Sequence, residues 1–122
     1  MTITITAAEA RELLTRAVEE KGADYVYPRS VDEALGCAYF EDDGTPSCIV
    51  GHVLAYKGVT LETLPLPDFD NNASVWALQR SGFLEADDRA SEALRRAQGR
   101  QDGGGDWGEA LSIALRVLDG DE

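Results

Sequence analysis

The sequence predicts a mainly α (α+β) fold, in which about five short helices surround a central apolar helix beside a small two- or three-stranded β element. Three observations predict this fold. Apolar residues recur at helical spacing in segments that begin at a capping residue and end at a glycine. Residues 48–56 are apolar on almost every side, as an interior helix is. Only two short stretches have the composition of strands.

Chain length sets the expected domain organisation. A chain of 122 residues fits one domain with one core, so we expect a single domain over residues 1–122. Residues 119–122 follow the last apolar stripe and are expected to form a frayed tail.

The first predicted elements are a strand and a helix. Residues 2–6 alternate threonine and isoleucine, which indicates a short strand or extended arm. Thr6 and Glu9 have capping-box spacing, and Gly22 is expected to end the helix in a left-handed conformation. The apolar positions between them are Ala10, Leu13, Leu14, Ala17 and Val18.

Residues 23–58 contain the predicted central helix. The segment 25–27 precedes a proline and should be extended, residues 30–36 could form one helical turn, and 37–40 suit a strand. Thr45 and Pro46 have the pattern of an N-cap and a proline in the first helical position. We therefore expect the helix to begin there, to hold Cys48 in its first turn and to end at Gly58.

The next segments are a loop and a short helix. Residues 59–70 include two prolines and predict a surface loop. Asn71 or Asn72 can cap a short helix that closes at Gly82. Trp76 lies on the apolar face of this helix and is expected in the core, although tryptophan also anchors protein interfaces.

Two longer helices complete the pattern. Asp87 or Asp88 can begin the first, with inward positions at Ala90, Ala93, Leu94 and Ala97. After residues 103–105, Asp106 and Glu109 predict a capping box for the second, and Gly120 ends it. The apolar stripe of this last helix is Trp107, Ala110, Leu111, Ala114, Leu115 and Leu118.

The charge balance excludes some partners. The net charge is -12, from 23 acidic and 11 basic side chains. Proteins that bind nucleic acids or anionic membranes need clustered basic residues, so we expect neither as a direct partner of this chain. A protein partner, including a basic one, is electrostatically allowed, and the sequence leaves homo-oligomerisation open.

The compartment is expected to be the cytoplasm. No basic and apolar leader opens the chain, and no apolar run approaches the roughly 18 residues of a membrane span. The two cysteines, Cys37 and Cys48, are therefore expected to be reduced thiols.

The pair Cys48 and His52 is the one candidate for nucleophilic catalysis. The residues are four apart, so they share a helical face, and a helix start lowers the pKa of a thiol. A thiol nucleophile needs such a base. The competing interpretation is a buried thiol and a hydrogen-bonded core histidine, which the apolar helix favours, so we expect no catalytic residue.

A metal site is the second candidate. Cys37, Cys48 and His52 could supply three zinc ligands, with Asp42 as the fourth. Structural zinc sites use tightly spaced ligand pairs, which this chain lacks. We therefore expect no metal and no cofactor.

A polar and aromatic patch lies around residues 103–105. Gln101, Asp102 and Trp107 could form a ligand-binding corner, or they could serve helix capping. The glycines match neither GxxxxGK[ST] nor GxGxxG, so they do not predict a phosphate loop.

The segment 46–54, residues 71–72 and the stretch from Gln101 to Gly108 resemble small uncharacterised acidic proteins of actinobacterial bacteriophages. The resemblance covers the chain from Ala23 onward. It implies an accessory role, acting on a host protein in the host cytoplasm, and it implies no site residues.

Three functional hypotheses follow. The first is a non-enzymatic accessory or interaction protein that binds a host or phage protein. The second is an acidic nucleic-acid mimic that blocks a basic groove, motivated by the net charge. The third is a thiol hydrolase or transferase that uses Cys48.

Overall fold

The computed structural model of the protein describes residues 2–27, 39–40, 44–60, 62–63 and 75–120. In chain order the elements are β1 (Ile3–Ile5), α1 (Ala7–Lys21), α2 (Ile49–Tyr56), α3 (Val75–Arg80), β2 (Leu84–Ala86), α4 (Asp88–Asp102) and α5 (Trp107–Asp119). The fold is mostly helical with a small two-stranded sheet, which confirms the predicted fold class. Several predictions fall outside the described residues: the helical turn at 30–36, the strand residues 37–38, the N-cap at 71 or 72 and most of the loop at 59–70.

Side-chain caps fix the starts of the long helices. Thr6 and Glu9 form a complete capping box at α1, and Asp106 and Glu109 form another at α5. Asp87 accepts from the Ala90 amide at the start of α4. Each cap satisfies backbone donors that have no partner inside the helix. The two capping boxes were predicted from the sequence, and Asp87 is one of the two alternatives predicted for the start of α4.

The two glycines that end α1 and α5 differ in backbone conformation. Gly120 ends α5, as predicted, and its conformation is left-handed helical. Gly22 ends α1 with φ 99° and ψ 142°, so its φ is positive but it is not left-handed helical. Asp119 is the last residue of α5 and forms an ion pair with Arg11. Residues 121–122 of the tail that was expected to fray lie outside the described residues.

The small sheet joins distant parts of the chain. Strands β1 and β2 pair in parallel, with Ile3 opposite Leu84 and Ile5 opposite Ala86. The sequence predicted β1 but gave no strand at 84–86, because three residues carry too little alternation to be recognised. Phe40 instead bridges to Pro46 in a single antiparallel pairing.

The helix α2 is the interior helix that the sequence predicted, but it begins later than expected. Cys48 is its N-cap in an extended conformation, and the first helical residue is Ile49. Pro46 is held in the bridge to Phe40, which keeps this part of the chain extended. Residues 49–54 are all buried, and α2 packs against α1 and α4.

A close backbone contact fixes the position of α2. A Cβ atom added to Gly51 would lie 2.1 Å from the carbonyl oxygen of Tyr39. Only glycine lets the helix approach the segment before it at this distance. The approach seals one side of α2 from solvent, where Tyr39 and Phe40 are buried.

Two predicted inward faces need correction. Trp76 is 57% exposed and therefore not in the core. On α5, Leu111 and Leu115 are only partly buried, whereas Val117 is 6% exposed. The buried face of α5 is therefore rotated from the predicted stripe, because its neighbours cover the Val117 side.

Within the described ranges, no helix combines the length and apolarity that crossing a bilayer requires.

Candidate functional site

The first candidate, Cys48, is a buried cap. Its side chain is fully buried and unpaired with another cysteine. The Gly51 amide donates to Cys48 Sγ at 3.4 Å, so the sulfur takes the place that an N-cap oxygen usually occupies. A thiol reacts as an accessible thiolate. The Cys48 sulfur is instead buried and accepts a hydrogen bond from an amide of α2.

His52 is also buried and hydrogen-bonded to the backbone, so its ring is almost entirely shielded from solvent. Its side chain is 3% exposed, and Nδ1 lies 2.9 Å from the Cys48 carbonyl oxygen. A carbonyl only accepts, so Nδ1 carries the proton of this bond. Burial lowers the pKa of His52, and the bond to the Cys48 carbonyl only partly offsets that effect. The ring is therefore neutral near pH 7 and binds the backbone of Cys48.

Gln101 connects α4 to the start of α2. The side chain is fully buried, and its Oε1 accepts from the Ile49 amide at 2.8 Å. Its Nε2 donates to Asp102 Oδ1 at 2.8 Å. Gln101 thus satisfies a first-turn amide of α2 that its own helix cannot satisfy. The capping alternative for this residue is the one that the geometry supports.

Trp107 lies in the same buried cluster. Its ring makes edge contacts with Tyr25 at 4.8 Å and with His52 at 5.2 Å between ring centroids. The indole Nε1 is buried and donates to no acceptor within the described part of the chain. Residues 48, 52, 101 and 107, which the sequence distributed over three candidate sites, therefore belong to one interior cluster.

Tyr56 borders this cluster on the side of α1. Its hydroxyl donates to Glu20, and its ring lies 6.4 Å from that of His52. Burial, together with the bond to Glu20, raises the pKa of Tyr56 to about 12. The hydroxyl is therefore protonated at all ordinary pH values and acts as a hydrogen-bond donor.

The metal candidate is only partly described. Cys37 and Asp42 lie outside the described residues. Among those that are described, no three His, Cys, Asp or Glu side chains come together as metal ligands. Cys48 and His52 are both committed to contacts within α2.

The helix α3 presents the most exposed aromatic side chain of the described residues. Trp76 is 57% exposed, and the Arg80 guanidinium carbon lies 4.7 Å from the centre of its ring. This stacking is a cation–π contact. The apolar pattern of this short helix predicted burial for Trp76, and only the residue type itself, which often anchors interfaces, pointed to the alternative.

A cavity of about 190 Å³ lies between α3 and α4. The described residues that line it are Val75, Arg95, Gln98, Gly99 and Asp102. A Cβ atom added to Gly99 would meet nothing within 4 Å, so the missing side chain leaves this space open. We call Val75, Trp76, Arg80, Gly99 and Asp102 the α3–α4 face.

A second concavity, of about 480 Å³, lies between α4 and the end of α5. Its described lining carries both charges, with Asp88 and Glu92 beside Arg89 and Arg95. Three of these four groups are already engaged, since Arg95 pairs with Glu92 at 2.7 Å and Arg89 donates to the Leu118 carbonyl. The internal pairing leaves no charge pattern that selects a ligand.

The described surface is much less acidic than the whole chain. Ten of the eleven basic side chains, but only fourteen of the 23 acidic ones, lie in the described ranges. Several carboxylates there are paired, and Lys57 and Arg100 lower the pKa values of Glu9 and Glu109 respectively. This mixed surface does not form the continuous acidic face that a nucleic-acid mimic needs.

No protein-family model, curated protein or solved structure matches this chain.

Proposed function

We propose that this chain is a non-enzymatic interaction protein that acts by binding another polypeptide through the α3–α4 face. The observation that carries the proposal is Trp76, a large aromatic side chain that is 57% exposed and stacked on Arg80. Tryptophan and arginine are the residue types that contribute most to protein–protein binding energy. A side chain of this kind is stabilised by burial against a partner.

The two residues of the alternative catalytic hypothesis, Cys48 and His52, are buried, and this also supports the proposal. The thiol of Cys48 and the ring of His52 bind the backbone of α2 and have little or no exposed surface. A thiol hydrolase would need both groups to reach a substrate. The resemblance to actinobacterial phage proteins adds that the polypeptide bound is a host or phage protein.

The experiment compares three forms of the protein as bait in a lysate of an actinobacterial host. The forms are the wild type, Trp76→Ala, and Val26→Ala, which removes the other large apolar side chain that is exposed among the described residues, by 50%. We expect the wild type and Val26→Ala to capture the same protein and Trp76→Ala to lose it. Equal capture by all three forms, or no capture at low salt, would contradict the proposal.

A further inference from the structure

Strand β1 has one edge that is not paired with β2. The Ile3 amide donates to the Phe83 carbonyl at 2.9 Å, so Ile3 and, two residues later, Ile5 direct their backbone groups toward β2. The N–H and C=O groups of Thr4 point to the opposite side, and no group of the described residues bonds to them. A strand edge of this kind can pair with another extended chain.

The side chains along this edge do not block pairing. Thr2, Thr4 and Thr6 are exposed, and threonine is one of the residues that favour strands. Proteins often protect an edge strand with proline or with charged side chains, especially lysine, and residues 2–6 include neither. The centre of β2, by contrast, carries the exposed side chain of Glu85. The neutral edge of the sheet is therefore that of β1.

The sequence of this edge is symmetric about Thr4. Residues 2–6 alternate threonine and isoleucine, so their order is the same in both directions. Two copies that pair antiparallel about Thr4 place each residue opposite its own type, and Thr4 lies opposite itself on a two-fold axis. Threonine pairs across antiparallel strands are favourable because their hydroxyl groups can hydrogen-bond. The edge is therefore complementary to a second copy of itself.

The same pairing keeps the apolar side chains on one face. Ile3 and Ile5 are 6% and 0% exposed and face the core, whereas Thr4 between them faces solvent. Antiparallel pairing about Thr4 sets Ile3 of one copy opposite Ile5 of the other, and residues that lie opposite each other share a face of the sheet. Both cores then lie on the same side of the joined sheet.

The local charge also favours this edge for self-association. The chain has a net charge of -12, and residues 2–8 carry no charged side chain. The acidic residues next to this segment are engaged, since Glu9 pairs with Lys57 and Asp87 accepts from the Ala7 amide. At physiological salt, charges that are more than about 8 Å apart are largely screened. Two acidic copies can therefore approach each other along β1.

We propose that β1 is a self-association edge, at which two copies of this chain pair antiparallel about Thr4. The Thr4 amide of each copy donates to the Thr4 carbonyl of the other, and the two sheets join in the order β2–β1–β1–β2. This dimer adds a second binding surface to the one in the proposed function. It does not depend on the α3–α4 face, because Trp76 has no part in it.

Sedimentation equilibrium of the purified chain at physiological salt tests the dimer. Thr4→Pro removes the outward N–H group but leaves the bonds of Ile3 and Ile5 to β2, since proline is tolerated where the N–H of an edge strand faces solvent. We expect this change to raise the dissociation constant of the dimer about ten-fold or more. Thr4→Val is the matched control, because it keeps the amide and the branched shape and should retain the dimer.

A charge-swap experiment tests the two-fold register. Thr4→Lys places two ammonium groups opposite each other, and Thr4→Glu places two carboxylates there, so each variant alone should dimerise more weakly than the wild type. An equimolar mixture pairs lysine with glutamate and should associate more tightly than either variant alone. No gain on mixing, or unchanged association of Thr4→Pro, would overturn the antiparallel pairing about Thr4.

The dimer and the proposed function fail in different ways. A wild-type chain that stays monomeric up to millimolar concentration overturns the dimer and leaves capture through Trp76 unaffected. Trp76→Ala should keep the dimer, and Thr4→Pro should still capture the protein that binds the α3–α4 face. If Trp76→Ala abolishes self-association, β1 is the wrong surface for the dimer.

Discussion

His52 is the only histidine of the chain, and its burial makes stability depend on pH. The folded pKa of His52 lies below its ordinary value of 6.5 because burial disfavours the charged ring. Between the folded pKa and 6.5 the unfolded chain binds more protons, so the free energy of unfolding falls as the pH is lowered through this window. The slope for one group is at most about 1.4 kcal/mol per pH unit.

Urea denaturation at pH 7.5, 6.5 and 5.5 measures this effect. We expect the free energy of unfolding to fall over this range in the wild type and to change much less in His52→Gln, which cannot be protonated. Glu9 and Glu109 have lowered pKa values, so they lose their stabilising ion pairs only below about pH 4.5. An identical decline in His52→Gln would show that another group is responsible.

Gln101 is a second residue whose burial predicts a measurable cost. Gln101→Met keeps most of the side-chain volume but removes the acceptor for the Ile49 amide. A buried donor left without a partner costs about 1–3 kcal/mol. Arg100→Met, one residue earlier and exposed, removes only a surface ion pair with Glu109 and should cost about 1 kcal/mol or less. Chemical denaturation compares the two variants, and equal losses would contradict the capping role of Gln101.

At the scale of elements, two helical glycines give opposite predictions for the same substitution. Gly51→Ala would place its Cβ atom 2.1 Å from the Tyr39 carbonyl oxygen, and relieving this contact requires moving α2. We expect a loss of about 3 kcal/mol or more, or failure to fold. Gly99→Ala meets open space and should stabilise the protein by about 0.8–1 kcal/mol through helix propensity.

Thermal unfolding of the two variants checks both signs. A higher melting temperature for Gly99→Ala and a lower one for Gly51→Ala are expected. Equal losses of stability in both variants would contradict the open space beside Gly99, and with it the cavity between α3 and α4 that Gly99 lines.

The long helices could be predicted from the sequence because their signals are local. Capping residues, helical spacing and terminal glycines all lie within one element, and α1, α4 and α5 begin where these signals indicate. The start of α2 was misplaced because the proline signal at residues 45–46 competes with a tertiary pairing to Phe40. The strand β2 was missed because only its partner β1, about 80 residues away, makes it a strand.

The candidate site was predictable as a set of residues but not as an arrangement. Cys48, His52, Gln101 and Trp107 were each singled out, yet nothing in the pattern indicates that Gln101 caps α2. Trp76 was assigned to the core because spacing alone cannot show which face of a six-residue helix its neighbours cover. Exposure depends on how the elements pack against each other, so the exposed position of Trp76 could not be predicted from the spacing alone.

At the scale of the whole molecule, the first strand, β1, is packed into the core and connects it to β2. Ile3 and Ile5 are 6% and 0% exposed, and β1 pairs with β2 across about 80 residues of sequence. The Asp87 side chain strengthens the same junction, because it accepts from the Ala7 amide as well as from Ala90. The start of the chain is thus built into the core together with the segment that opens α4.

Ile5→Ala tests whether this junction is part of the cooperative fold. Removing a fully buried isoleucine side chain should lower the free energy of unfolding by about 2–5 kcal/mol. Thr4→Ala, on the exposed side of the same strand, should cost about 0.5 kcal/mol or less. Chemical denaturation followed by tryptophan fluorescence includes the signal of Trp107, which is buried at the start of α5. A loss seen in that signal means that β1 and the helical core unfold together. A small cost at Ile5, similar to that at Thr4, would mean that β1 is an arm attached to a core that is complete without it.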